Sequence, residues 1–178
     1  AFADYGQYLD SLEMTATIKG FEPLYIQRIA QLTNKSNQFN LTTLRCSEDD
    51  IRAMAGDKND LCLCGKLVDK FGDNGIVTVV AGRQQGDVLD LTLWLMSCRV
   101  LKRGMEDAMM DTVVAEAAAR GVKTIVGHYY PTAKNAMVRE FYAQYDFAKT
   151  AEDADGNTEW TLDVAAYTPK HPHMKIER

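Results

Sequence analysis

The sequence predicts an α/β chain: one mixed sheet, built from an antiparallel meander and a strand–helix–strand crossover, with helices packed on both faces. Three observations point there. Three apolar runs, about 61–69, 75–83 and 88–97, are separated by the turn sequences Asp73-Asn74-Gly75 and Gln85-Gly86-Asp87, the signature of a meander. Leu89, Leu91, Leu93 and Leu95 alternate with Asp90, Thr92 and Trp94, after which Met105, Ala108, Met109, Thr112 and Val113 recur at helical spacing. A further apolar run, 122–128, follows Gly121, and such crossovers make the two flanking strands parallel.

The elements follow in order. A helix is expected from about Asp4 to Thr15, ended before Gly20, with Phe2, Tyr5, Leu9 and Leu12 as a stripe that wants a partner. Pro23 suits the first turn of a second helix carrying Tyr25, Ile29 and Leu32 on one face. An amide-rich run, 33–40, leads into a short strand from Leu41 to Arg45. Ser47 and Asp50 have the spacing of a capping box for a helix ending near Gly56. The three meander strands come next, then a helix over 104–120 closed by Gly121, and the strand 122–128. Pro131 and Thr132 open a helix carrying Val138, Phe141, Tyr142 and Tyr145, and 147–151 with 159–164 form a last hairpin around Asp155-Gly156-Asn157. The tail, 168–178, holds Pro169 and Pro172 and is expected to be loosely ordered.

The 178 residues suffice for one domain with a sizeable core. A net charge of −5 argues against a generic nucleic-acid surface, and no apolar run approaches the length of a membrane span, so neither is expected as a partner. Cys46, Cys62, Cys64 and Cys98 lack the paired spacing of a zinc site, so no metal is expected, and free thiols fit a cytoplasmic setting. The chain begins with Ala, and the expectation is a piece of a longer protein: 1–19 a linker helix from a preceding domain, 20–167 the folded domain, 168–178 a tail.

The element order resembles the GNAT acyltransferase fold, in which the two parallel central strands splay and an acyl donor enters the gap. Arg103-Gly104-Met105-Glu106 resembles that family's acyl-CoA pyrophosphate loop, with Glu106 in place of its second small residue. Asn135 to Phe147 resembles the family's later helix, with Asp146 in place of a glycine. Four blocks, Gln31 to Thr43, Asp69 to Gly75, Trp94 to Val100 and Tyr130 to Asn135, resemble the C-terminal GNAT-like region of FkbH-like proteins. That resemblance implies a HAD-type domain preceding this region, a glyceryl-type acyl group, and an acyl carrier protein as acceptor. The implied cofactor is the phosphopantetheine of that carrier, or CoA. Glu106 stabilises the helix dipole but repels a pyrophosphate, whereas a carrier's arm has one phosphodiester and demands less of the loop. The competing expectations are a non-catalytic module that docks the carrier and an acetyl-CoA-dependent N-acetyltransferase.

Cys98 ends one splayed strand and His128 the next, so both are expected at one edge of the sheet. A thiol needs a base, and a Cys98–His128 pair that accepts an acyl group as a thioester is one reading, with Asn40 orienting the imidazole. The other reading is a small buried Cys98 and a structural His128. Arg99, Val100, Lys102, Arg103 and Gly104 form the expected phosphate or pantetheine seat. Asn37, Gln38, Thr42 and Thr43 both donate and accept, which suits a polyhydroxy acyl group, or they satisfy loop backbone. Tyr130, Thr132, Lys134 and Asn135 follow the second splayed strand and complete the expected substrate residues; Thr132 is otherwise an N-cap.

Overall fold

A computed structural model describes residues 2–178. The helices are α1 (Tyr5–Ser11), α2 (Ile26–Lys35), α3 (Glu48–Gly56) and α4 (Met105–Ala119); the strands are β1 (Thr15–Lys19), β2 (Asp60–Asp69), β3 (Gly72–Gln85), β4 (Val88–Met96), β5 (Thr124–Tyr129), β6 (Ala148–Glu152), β7 (Thr158–Asp163) and β8 (Lys175–Glu177). They form one mixed sheet in the order β6-β7-β5-β4-β3-β2-β1-β8. The meander β2-β3-β4 is antiparallel, and β4 and β5 are parallel across α4, as the sequence predicts. Apolar side chains cover both faces. Leu9, Leu12, Trp94, Met105, Met109, Tyr142 and Trp160 belong to the core on the α1 and α4 side, while Ile29, Leu32, Ile51, Val79, Leu93 and Leu95 belong to the core under α2 and α3. No helix among the described residues is long and apolar enough to cross a membrane.

β4 departs from strict alternation in a way that shapes the site. Ala81 pairs with Leu93 and Gly82 with Leu91, so Thr92 is an extra residue, a β-bulge. One inserted residue reverses the parity of every side chain beyond it. Leu89 and Leu91 therefore face the α4 side, whereas Leu93 and Leu95 face α2 and α3, and Trp94 and Met96 take over the α4 side. The four leucines expected on one face are thus divided between two cores.

Other differences are local. The first helix covers only Tyr5–Ser11, and Thr15–Lys19 is a strand whose Ala16 and Ile18 are buried at period two. Leu9 and Leu12 find their partner in the core of this domain, while Phe2 and Tyr5 are exposed. The strand expected over 41–45 is absent; only Asn40 bridges to Leu95. The helix expected after Pro131 is replaced by two tight turns, Ala136–Val138 and Tyr142–Tyr145, which still bury Val138, Phe141, Tyr142 and Tyr145. The tail is ordered: Asp111 accepts the Tyr167 hydroxyl at 2.5 Å and the Lys170 and His171 backbone N–H groups at 2.9 and 3.0 Å, and β8 then pairs with β1. The capping box of α3 forms as expected.

Gly127 of β5 leaves room for the Tyr142 ring: a Cβ there would lie 2.5 Å from the ring's Cζ, and the ring is only 1% exposed. Gly127→Ala therefore forces the ring or the strand to move and lowers unfolding stability by about 1–3 kcal/mol, measured by urea denaturation.

Candidate functional site

β4 and β5 pair only from Val88–Thr124 to Asp90–Val126, and beyond that point, at the Thr92 bulge, they separate. The expected splay is present, and the chain's own segment 39–42 fills it. Phe39 O accepts from Met96 N at 3.0 Å, and Leu41 N donates to Trp94 O at 3.0 Å, so the segment occupies the edge of β4 that β5 has left. The Thr42 hydroxyl donates to Thr92 O at 2.8 Å. On the other side Tyr130 N donates to Leu41 O at 2.9 Å.

Asn135, fully buried, locks this insertion. Its Nδ2 donates to Asn40 O at 3.0 Å and Tyr130 O at 2.9 Å, and its Oδ1 accepts from Thr132 N at 2.8 Å and the Tyr129 hydroxyl at 3.2 Å. Asn135 is thus a structural keystone, not a substrate contact. Asn40, also fully buried, is likewise committed to its own loop: Nδ2 donates to Ser36 O at 3.1 Å and Oδ1 accepts from Thr43 N at 2.9 Å. Thr132 accepts from Lys134 N at 3.1 Å and closes a turn in its own loop. Thr43 holds a positive φ of 55°, a strained conformation for a β-branched residue, and its hydroxyl is buried without a partner among the described residues.

The Cys98–His128 pair does not form. Asp90 is level with Val126, so His128 is level with Thr92, six residues short of Cys98. At a strand's rise that is on the order of 15–20 Å along the sheet. His128 Nε2 lies 2.5 Å from Asp90 Oδ1, and its ring lies 5.9 Å from that of Tyr130. His128 is the next-to-last residue of β5, whereas Cys98 lies two residues past the end of β4, so β5 ends its travel sooner than the longer β4. Tyr130 is 42% exposed, and burial, with the charges of Asp90 and Glu159, pushes its hydroxyl pKa up.

Cys98 instead opens onto the mouth of the splay. β4 stops at Met96, and Ser97 caps a short turn, Cys98–Val100, that leaves Cys98 exposed. Its Sγ lies 3.3 Å from Gln38 Oε1. Both line a cavity of about 490 Å³ walled by Lys35, Ser36, Asn37, Ser97 and Lys134, with Leu32, Phe39 and Met96 as its apolar part. Of the expected substrate residues, Asn37, Gln38 and Lys134 meet here; Asn37 Oδ1 also accepts from Arg45 at 2.5 Å. Lys35, Ser36 and Ser97 were not singled out from the sequence, although Lys35, the last residue of α2, and Ser36 lie within the amide-rich run itself. Cys46, Cys62 and Cys64 are at most partly exposed, and burial pushes the thiols of Cys62 and Cys64 up to about 12.

The expected phosphate seat is not assembled. Arg99 turns back to Asn74 O at 3.3 Å, and Val100 is in the core. Arg103 donates to the nearly buried Asp69 at 2.8 Å. Lys102 is exposed, and its carbonyl accepts from the Tyr5 hydroxyl. Gly104, with φ +91°, begins α4. Glu106 fills the helix start: burial pushes its carboxyl pKa up, the neighbouring Asp107 adds to this, and the backbone N–H groups of Glu106 and Gly104 act the other way. A carboxyl that binds its proton more tightly in the folded state makes stability fall as pH rises from its ordinary value through its raised one. Glu106→Gln removes that fall, so melting curves of the two proteins converge at acid pH, and the wild type is the less stable at neutral pH.

Among the described residues no three His, Cys, Asp or Glu side chains gather as a metal site needs. No family model matches this chain, and neither does any curated protein. Solved structures do. The ribosomal-protein-S18-alanine N-acetyltransferase of Escherichia coli aligns with a TM-score of 0.63 at 15% identity, over 84% of this chain and 94% of that one. The GNAT domain of S. lividans PAT aligns at 0.62 and 15%, over 82% and 89%. The spermidine N-acetyltransferase of Vibrio cholerae, solved with CoA and spermine, aligns at 0.62 and 9%, over 84% and 96%. Likeness at 9–15% identity shows the fold alone, and the fold of this chain is GNAT-like. None of these three structures is an FkbH-like protein.

Proposed function

We propose that this chain is an acyltransferase domain in which Cys98 accepts a small hydroxyacyl group and passes it to the thiol of a pantetheine arm. The observation that carries this reading is the placement of Cys98: an exposed thiol in the mouth of the splayed strands, beside Gln38 and between Lys35 and Lys134. The amides and hydroxyls of Ser36, Asn37, Gln38 and Ser97 suit a polyhydroxy acyl group, and the lysines give the mouth the charge to draw in a phosphodiester. The resemblance to FkbH-like proteins supplies the finer part of the proposal: a glyceryl-type acyl group, an acyl carrier protein as acceptor, and a HAD-type domain as partner.

In the step, the Cys98 thiol loses its proton to solvent and its sulfur attacks the acyl carbonyl carbon. A new C–S bond forms as the bond to the donor's leaving group breaks; the acyl group then moves to the arm's thiolate by the same exchange, and Cys98 takes a proton back. Exchange between thioesters needs no oxidant, so loading from an acyl-pantetheine follows the same step in reverse. Incubation with a hydroxyacyl-pantetheine is expected to add one acyl mass, released by hydroxylamine and located on the Cys98 peptide. Transfer that leaves Cys98 unmodified while the arm is acylated contradicts the proposal.

A second reading has its own support. The filled β4 edge fits a non-catalytic module that holds the carrier while another domain does the chemistry. Carrier binding without acyl uptake by Cys98 distinguishes it. An acetyl-CoA-dependent N-acetyltransferase accords with the names of the structures alike in fold, and the α4 junction bears on it directly.

A further inference from the structure

We infer that Glu106 bars the diphosphate of CoA from this domain, and so restricts its thiol partner to arms that carry no diphosphate. This rests on the reading that the acyl group travels on a thiol arm, and it names which arm.

A helix start binds phosphate because its free N–H groups and dipole face an anion. Here that place is taken from within. Glu106 stands in the first turn of α4, two residues past its cap Gly104. Its Oε2 is shielded from solvent with no hydrogen-bond partner among the described residues. A second anion at the same helix start meets the Glu106 charge at close range, where solvent screens poorly. The nearest guanidinium is spent as well, since Arg103 is paired with Asp69 at 2.8 Å, and Asp69 is 6% exposed.

The approach is also narrowed. A Cβ on Gly104 would lie 3.1 Å from Pro172 Cβ and 3.6 Å from Met174 Cε, so the tail passes directly over the residue that would have to meet a phosphate. Asp111 and the β8–β1 pairing hold the tail there, and the Tyr5 hydroxyl closes on the Lys102 carbonyl from the other side. The tail keeps water from screening the Glu106 charge, so that charge repels a CoA diphosphate at this junction and its removal is what admits one. A carrier-borne arm, with its single phosphodiester, has no need of the junction and meets Lys35 and Lys134 at the mouth instead.

The test is calorimetric titration of the whole chain with CoA and, separately, with pantetheine, for the wild type, Glu106→Gln and Glu106→Ala, each checked for folding by thermal melting. The expected result is no measurable CoA binding by the wild type, a gain of at least about tenfold in affinity in both variants, and pantetheine binding that the variants leave unchanged. CoA binding by the wild type as tight as by the variants overturns the inference. Folded variants that gain nothing also overturn it, since another feature must then exclude CoA. Cys98 is intact throughout and no acyl group is transferred, so failure of the Cys98 proposal leaves this result standing, and the reverse holds too.

Discussion

Cys98→Ala abolishes acyl transfer, by roughly three orders of magnitude or more, while leaving the melting temperature almost unchanged. The size follows from removing a nucleophile that no neighbour replaces. The unchanged stability follows from exposure: Cys98 contributes nothing to either core, and surface substitutions away from special features stay within about 0.5 kcal/mol. Cys46, Cys62 and Cys64 behave the opposite way. All three are packed at the core under α2 and α3, and replacing any of them by alanine lowers stability without touching the transfer rate. Single-turnover transfer and thermal melts of the four variants separate the two patterns.

Asn135→Ala unfolds the region around the splay at a cost of about 2–4 kcal/mol, read by urea denaturation. Its side-chain amide joins the end of β5, the loop after it and the inserted segment through four hydrogen bonds. Alanine leaves the Asn40 and Tyr130 carbonyls and the Thr132 N–H without that partner, and each orphaned buried group costs about 1–3 kcal/mol before relaxation. Asn135→Asp fares no better, because a carboxylate oxygen then faces two carbonyl oxygens. Asn135→Ala also lowers transfer, since the Phe39–Thr42 insertion that shapes the mouth loses its lock.

The sheet was legible because its signals are local. The meander turns, the Ser47–Asp50 capping box and the switch of period before α4 lie within a few residues of the structure they specify. The Thr92 bulge was not, since an unbroken alternation of leucines conceals one extra residue, and that residue decides which core each leucine joins. β1 was absorbed into the preceding helix although Ala16 and Ile18 alternate, because five residues carry too little pattern to outweigh a neighbouring helical stripe. The insertion of 39–42 is made by backbone hydrogen bonds between segments more than fifty residues apart, which side-chain pattern does not record. Cys98 and His128 share the sheet edge that topology gives them, but topology does not say how far each strand runs past its last pair. Strand lengths held part of the answer: β4 has nine residues and β5 six. Glu106 was legible as a misfit at a phosphate loop; its burial, and the tail above Gly104, required the fold.

Iodoacetamide labelling, followed cysteine by cysteine with and without a saturating hydroxyacyl-pantetheine, examines the mouth of the splay itself. Cys98 is expected to react first of the four thiols and to be strongly protected by the acyl donor, with the others slow and indifferent to it. Labelling of Cys98 that proceeds at the same rate with the donor present, or protection that falls on another cysteine, places the acyl group elsewhere and removes the thiol from the chemistry.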